Sequence, residues 1–164
     1  MASKLRNPPS TTLDDQLCFV LYAASRAITN YYRPLLDDLG ITYPQYLVLL
    51  VLWERRELMV KDLGAQLQLD SGTLSPVLKR LEAAGLVRRT RRADDERSVT
   101  VSLTKQGEAL RSTASCLPSA IQRAMALDDR ALAELRQTVR DLAATVHEAP
   151  PAARITKTPK GTKP

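Results

Sequence analysis

Two cysteines and five tyrosines are the residues of this 164-residue chain whose chemistry is most distinctive. Cys18 lies in the apolar run Leu17-Cys18-Phe19-Val20-Leu21-Tyr22. Because Tyr22 follows four residues after Cys18, a helix places its phenol on the same face as the thiol. A cysteine thiolate is a nucleophile, and a tyrosine hydroxyl can donate a hydrogen bond to it without adding charge. A redox-active thiol is one hypothesis for Cys18, and an inert packed thiol is the other.

The only histidine, His147, has no cysteine or acidic cluster around it in the sequence. We therefore expect neither a metal site nor a nucleophile activated by histidine. We expect that the protein is not an enzyme and that it uses no cofactor.

The composition favours a cytoplasmic globular protein. Hydrophobic residues make up 44% of the chain, yet no apolar run is long enough to predict a membrane span. The N-terminus has no apolar segment of a signal peptide, and two distant cysteines do not suggest a secreted disulfide framework. Four cations and no acid lie in residues 150–164, so only two of the six net positive charges belong to residues 1–149. Global charge is therefore weak support for nucleic-acid binding.

Apolar spacing predicts a mainly α-helical chain with one small β-hairpin. The predicted helices are Leu13–Tyr32 after an N-cap at Thr12, Pro44–Trp53, Met59–Leu67, Thr73–Ala84, Lys105–Ser115 and Arg130–His147. The predicted strands are Leu86–Thr90 and Ser98–Leu103, joined by a polar tip. Residues 1–11 are expected to be flexible, and the basic tail 149–164 to be disordered.

Helix, turn, helix and β-hairpin in this order predict a winged helix-turn-helix that binds double-stranded DNA. The second helix would enter the major groove with the short polar side chains of its first turns, whereas its later cations would contact phosphate. Arg97, at the hairpin tip, could enter a narrow minor groove, and Asp95 would orient it. The candidate DNA-binding residues are Ser71, Thr73, Ser75, Lys79, Arg80, Arg88, Arg91 and Arg97.

Two stretches give the sequence a family resemblance. Leu69–Leu81 followed by Asp94–Val99 resembles the MarR family of dimeric winged-helix regulators. Asp15–Tyr22 together with Ile41–Leu47 resembles its organic hydroperoxide resistance subgroup. The resemblance spans about residues 13–147.

The resemblance implies a repressor that binds a pseudo-palindromic operator as a homodimer and releases it when an organic hydroperoxide oxidises Cys18. It also implies that Tyr22, Tyr32 and Tyr43 donate hydrogen bonds to the thiolate. Since Tyr32 is 14 residues from Cys18 on one predicted helix, about 21 Å, we expect Tyr32 and Tyr43 to come from the partner subunit. The winged-helix domain would span 12–148, with a DNA lobe at about 58–103 and a dimer lobe from about 12–40 and 104–148.

Cys116 is a candidate resolving thiol, which would form a disulfide after the first oxidation. The resemblance implies a resolving cysteine nearer Leu127, so Cys116 departs from the family pattern. Three roles stay open for it: a structural residue, a disulfide partner of Cys18 in another geometry, or a bystander while a small cellular thiol reacts.

Two alternative functions remain. One is a ligand-responsive MarR regulator of aromatic or drug compounds in which Cys18 has no sensing role. The other is a thiol peroxidase, which is less favoured because the chain contains no peroxidase motif.

Overall fold

A computed structural model describes residues 12–91 and 98–151. The chain divides into two compact units, which meet in sequence between Ala124 and Met125. The predicted wing-tip residues Asp95 and Arg97 lie outside the described residues, as do residues 1–11 and nearly all of the predicted basic tail. Within the described ranges, no helix is long and apolar enough to cross a membrane.

The order of elements follows the sequence prediction closely. The first unit contains α1 (Leu17–Asp37), α2 (Tyr43–Arg55), β1 (Glu57–Met59), α3 (Val60–Leu67), α4 (Ser71–Ala83), β2 (Val87–Arg91), β3 (Val99–Leu103), α5 (Lys105–Ala114) and α6 (Leu117–Met125), which ends at the boundary between the units. The second unit contains α7 (Asp129–Glu148). The predicted helix, turn, helix and hairpin are therefore α3, α4, β2 and β3.

The start of α1 differs from the prediction. Residues Leu13–Asp15 form one 3-10 turn, Gln16 is extended, and the α-helix begins only at Leu17. The Thr12 hydroxyl donates to the Asp15 carboxylate at 2.7 Å instead of capping a helix at Leu13. Such local side-chain bonds compete with helix formation. Cys18 is consequently the second residue of α1.

The end of α1 also lies beyond the predicted end at Tyr32. The helix passes through Pro34 and ends at Asp37. Tyr32 and Leu36 lie on either side of the proline, and both are buried. Their packing outweighs the backbone hydrogen bond that a proline removes from a helix.

The wing contains a third strand that the sequence did not predict. β1 pairs antiparallel with β3 and β3 with β2, so the sheet order is β1-β3-β2. β1 has only three residues, too few to show an alternating pattern. Its pairing joins the segment before α3 to the wing.

Helix α2 lies at the centre of the first unit, as its apolar sequence predicted. Val48, Leu49 and Leu52 are fully buried. The buried indole of Trp53 donates to the backbone oxygen of Gly107 at 2.9 Å, which joins α2 to α5. A Cβ at Gly107 would collide with the backbone oxygen of Leu86, so only glycine fits this close approach.

Candidate DNA interface and thiol site

The N-terminus of α4 is fixed by Asp70. Its carboxylate accepts the backbone N–H of Thr73 at 2.9 Å and the Thr73 hydroxyl at 2.9 Å. These hydrogen bonds lower the pKa of Asp70, because they stabilise the carboxylate over the acid. The cap therefore holds the first turn of the helix in place at neutral pH.

Helix α4 buries one face and exposes the other. Leu74, Leu78 and Leu81 are buried against the rest of the unit. Of the residues predicted to face DNA, Ser71, Thr73, Lys79 and Arg80 are exposed. A solvent-facing stripe with two cations is the arrangement that a recognition helix requires.

Two of the predicted base-contacting residues have other contacts in the structure. The hydroxyl proton of Thr73 is donated to Asp70, so its oxygen remains available only as an acceptor. Ser75 is half-buried and lines a cleft between α3, α4 and the wing. The exposed stripe of α4 therefore has fewer free donors than its sequence suggested.

The cations of β2 point in two directions. Arg88 and Arg91 are exposed, whereas Arg89 turns toward Glu82 in the last turns of α4. The Glu82 carboxylate accepts the Arg89 backbone N–H at 3.0 Å and its Nε at 2.8 Å, and it lies 2.6 Å from Nη2. The Arg89 side-chain hydrogen bond is the main reason why the pKa of Glu82 is lowered. This pair ties α4 to the wing, and no local pattern in the sequence predicts it.

The cleft beside Ser75 has a volume of about 660 Å³. Its walls are mainly apolar and include Val60, Leu69 and Leu78, while Lys61 and Arg89 also line it. Clefts of several hundred cubic ångströms with few polar groups are the usual size of small-molecule sites.

Cys18 is exposed and lies in the first turn of α1. The backbone N–H groups of Phe19 and Val20 both donate to the Gln16 oxygen, at 2.9 and 3.1 Å, which closes this first turn. An exposed thiol at this position is accessible to an oxidant in solution.

Tyr22 lies one turn after Cys18 and is 57% exposed. Its hydroxyl accepts a hydrogen bond from Arg26 Nη1 at 3.1 Å. The guanidinium carbon of Arg26 also lies 5.6 Å from the centre of the Tyr22 ring. The phenol is thus held by a cation from the next turn of α1.

Tyr32, Tyr43 and Tyr46 form an aromatic group, here called the tyrosine cluster. The centres of the Tyr32 and Tyr43 rings are 5.1 Å apart, and those of Tyr32 and Tyr46 are 5.8 Å apart. Burial, and to a smaller extent the neighbouring phenols, raises the pKa of Tyr32 to about 12. Burial also raises the pKa of Tyr43 and of Tyr46. The three phenols therefore stay neutral at physiological pH and keep their protons for donation.

The tyrosine cluster is far from Cys18 of the same chain. Cys18 and Tyr32 both belong to α1, and 14 residues of helix separate them by about 21 Å. Tyr43 packs on Tyr32 and is equally remote. The structure therefore brings Tyr32 and Tyr43 together but does not bring either to Cys18 within one chain.

Cys116 lies between α5 and α6 and is exposed. Its Sγ donates to the Thr113 backbone oxygen at 3.6 Å. It is also near enough to Tyr46 to contribute to the raised pKa of that phenol. The second thiol is therefore within electrostatic range of Tyr46, one member of the tyrosine cluster, and the sequence did not predict this.

Both units expose apolar side chains at helical spacing. In the first unit Leu17 and Val20 of α1 are 56% and 49% exposed. In the second unit the exposed apolar residues of α7 are Leu135, Val139 and Val146. Such stripes are typical of surfaces that another chain covers.

Comparisons with known proteins identify the family. A family model described as "Transcriptional regulator SarA/Rot" matches residues 30–113. The organic hydroperoxide resistance transcriptional regulator of Bacillus subtilis (strain 168) is 50% identical over 136 residues, which are 83% of this chain and 92% of that protein. The chain belongs to the MarR family of winged-helix transcriptional regulators. Its mainly helical fold with a small antiparallel sheet confirms the predicted fold class, and it is a DNA-binding regulator related to the organic hydroperoxide subgroup.

Structures of AbfR of Staphylococcus epidermidis are similar to this MarR-family chain in three states. Reduced AbfR bound to DNA gives a TM-score of 0.71 at 36% identity, covering 82% of this chain and 92% of that one. Overoxidized AbfR bound to DNA gives a TM-score of 0.63 at 40% identity, covering 79% of this chain and 94% of that one. Disulfide-formed AbfR gives a TM-score of 0.56 at 38% identity, covering 82% of this chain and 90% of that one.

Proposed function

We propose that this MarR-family regulator is a homodimeric repressor that releases its operator when an organic hydroperoxide oxidises Cys18. The observation that carries the proposal is the position of Cys18. It is an exposed thiol in the first turn of α1, and an accessible thiol is the group that a hydroperoxide oxidises. The similarity to a hydroperoxide resistance regulator supports the same chemistry.

The first step is a two-electron oxidation of sulfur. The Cys18 thiolate attacks the outer oxygen of the hydroperoxide, an S–O bond forms, and the O–O bond breaks. The leaving alkoxide takes up one proton and departs as an alcohol, so that Cys18 becomes a sulfenic acid. Phe19 and Leu21 are half-buried beside Cys18, and apolar neighbours favour a peroxide with an alkyl group by about 0.8 kcal/mol per buried methylene.

A second subunit completes the site in this proposal. Tyr32 and Tyr43 cannot reach Cys18 of their own chain, so we assign them to Cys18 of the partner subunit, and Tyr22 to its own. The dimer lobe of about 12–40 and 104–148 would form the interface, because α1 and α7 each expose an apolar stripe. The DNA lobe of about 58–103 would read one half-site in each subunit.

Cys116 is proposed to resolve the sulfenic acid of the partner subunit. It is close enough to Tyr46 to influence the pKa of that phenol, and Tyr46 belongs to the tyrosine cluster to which we assign the partner's Cys18. Attack by the Cys116 thiolate would form the disulfide and release the sulfenic oxygen, with one added proton, as water. AbfR has a disulfide form, and it is bound to DNA in both the reduced and the overoxidized form. We therefore assign operator release to the disulfide rather than to higher oxidation of Cys18 alone.

The test is operator binding by wild type, Cys18→Ser and Cys116→Ser, each with and without cumene hydroperoxide. We expect wild type to lose affinity on oxidation and Cys18→Ser to bind equally well in both conditions. Cys116→Ser should form a sulfenic acid that dimedone traps, but no intersubunit disulfide on a non-reducing gel. Release of DNA by oxidised Cys18→Ser would refute the sensor role of Cys18.

The cleft of about 660 Å³ supports a second candidate function, in which a small aromatic or drug-like ligand releases the operator. The cleft lies against α4 and the wing, so an occupant would alter the reading surface directly. In this case a phenolic compound would release DNA from Cys18→Ser as well as from wild type. A ligand that acts only on wild type would exclude this candidate.

A further inference from the structure

Cys18, Tyr22 and Arg26 are spaced four residues apart on α1. Residues at this spacing lie one above another on one face of a helix. Helical side chains extend toward the preceding turn, and Arg26 shows this direction, because its Nη1 reaches back to the Tyr22 hydroxyl at 3.1 Å. Tyr22 therefore lies between Arg26 and Cys18 on this face of α1.

We propose that Arg26 is a positioning residue of the Cys18 site and acts through Tyr22. The proposal rests on the proposed function, since it concerns the reactivity of the sensing thiol. A guanidinium has no acceptor, so Arg26 occupies the oxygen of Tyr22 and leaves the phenolic proton free. That proton is then directed to the Cys18 thiolate.

Arg26 also strengthens Tyr22 as a donor. A hydrogen bond accepted by the phenol oxygen polarises the O–H bond, and linked hydrogen bonds strengthen one another by about 10–30%. The stacking contact between Arg26 and the ring limits the rotation of the phenol. While the Tyr22 hydroxyl donates to it, the Cys18 thiolate is protonated less readily. It then also reacts with the peroxide from a fixed geometry.

A purely structural role for Arg26 predicts a different outcome. Exposed pairs at this spacing contribute little to helix stability. Such a pair would change neither the rate at which Cys18 reacts nor its dependence on pH.

The experiment is a double-mutant cycle with Arg26→Gln, Tyr22→Phe and the double variant, all in the full chain. The rate constant of Cys18 with cumene hydroperoxide is measured by mass spectrometry of the Cys18 peptide, and alkylation of Cys18 by iodoacetamide is followed against pH. We expect Arg26→Gln to lower the peroxide rate about two- to fivefold and to shift the alkylation profile to higher pH. Arg26→Lys, which keeps a donor, should restore most of the rate.

The decisive comparison is made in the Tyr22→Phe background. If Arg26 acts through Tyr22, adding Arg26→Gln to Tyr22→Phe changes neither readout further. An unchanged rate in Arg26→Gln, or an equal loss with and without Tyr22, would overturn the proposal. Failure of the proposed function looks different, because Cys18 would then not react in wild type, or its reaction would leave operator binding unchanged. Operator affinity of the reduced variants, which should equal that of wild type, controls for folding.

Discussion

Arg88 and Arg89 are neighbours in β2, yet the structure gives them different surroundings, from which we predict different roles in DNA binding. Arg88 is exposed, whereas Arg89 is tied to Glu82 by three contacts of 2.6–3.0 Å. If Arg88 contacts a phosphate, binding DNA releases a counterion at that contact. Arg89, already paired, releases none. The dependence of operator affinity on salt therefore distinguishes the two arginines.

The expected change in the salt dependence of operator affinity follows from counterion release. Arg88→Gln should reduce the slope of log affinity against log salt by about 0.9, the value for one phosphate contact. Over a fourfold rise in salt concentration this contact accounts for a change in affinity of about 3.5-fold. Arg89→Gln should leave the slope unchanged.

Arg89→Gln should nevertheless weaken binding, because the wing loses its tie to α4. The side chains of Arg89 and Glu82 are 30% and 35% exposed, so solvent screening reduces the value of the pair to about 0.5–1 kcal/mol. If this whole loss appears in DNA binding, affinity falls about two- to fivefold at every salt concentration. Glu82→Gln is the matched variant and should show the same parallel shift.

The assay is fluorescence anisotropy of a labelled operator duplex, titrated with reduced protein at five salt concentrations. Circular dichroism of each variant controls for folding. A slope that falls equally in Arg88→Gln and Arg89→Gln would mean that Arg89 faces phosphate rather than Glu82. That result would refute the assignment of Arg89 as the link between wing and recognition helix.

Three further predictions concern stability. Asp70→Ala removes the acceptor of the first turn of α4 and should lower Tm at pH 7. Because the folded pKa of Asp70 is below its usual 3.8, this stabilisation is present above pH 3.8 and is lost as pH falls through the folded pKa. The Tm values of wild type and Asp70→Ala should therefore converge in acid. The raised pKa of Tyr32, about 12, means that stability from the neutral phenol is complete below pH 10.0 and is lost as pH rises toward 12; urea unfolding should show this loss in wild type but not in Tyr32→Phe. Gly107→Ala forces a methyl group against the Leu86 oxygen and should cost about 1–3 kcal/mol in urea unfolding, whereas an unchanged midpoint would contradict the close approach.

Elements defined by local signals were predicted well from the sequence. The cap residue Asp70, the apolar spacing of Leu74, Leu78 and Leu81, and the break at Gly85, whose φ is +71°, all act within a few residues of one another. The same holds for the strict alternation that forms β3. Where each local preference agrees with the final fold, the sequence pattern is sufficient.

The start of α1 was predicted wrongly because two local arrangements compete there. Thr12 and the acids after it resemble an N-cap and a first helical turn, but Thr12 bonds to the Asp15 side chain and the chain forms a 3-10 turn. The error matters for function. It placed Cys18 inside the helix, whereas the structure places it in the exposed first turn of α1.

Contacts between distant residues were not visible in the sequence. Glu82 and Arg89 are separated by the turn at Gly85, and β1 becomes a strand only by pairing with β3. Tyr32 and Tyr43 were named from a family resemblance, but Tyr46 was not recognised as part of their cluster. Ring contacts of this kind arise from the packing of α1 on α2 and have no signature in either helix alone.

Helix α2 provides a physical connection between the tyrosine cluster and α4, the predicted recognition helix. Tyr43 and Tyr46 lie in its first turns, and Trp53 lies near its end, where the indole is fixed to the Gly107 oxygen. The same helix packs against α1, α3, α4 and α5. Because its core side chains are fully buried, a displacement of its tyrosine end cannot be absorbed by local compression. It must instead change how α2 packs on α3 and α4. A disulfide formed at the tyrosine cluster would therefore act on the DNA-binding surface through one rigid element. Oxidation at a distant thiol would in this way weaken operator binding without any contact between the thiol and DNA.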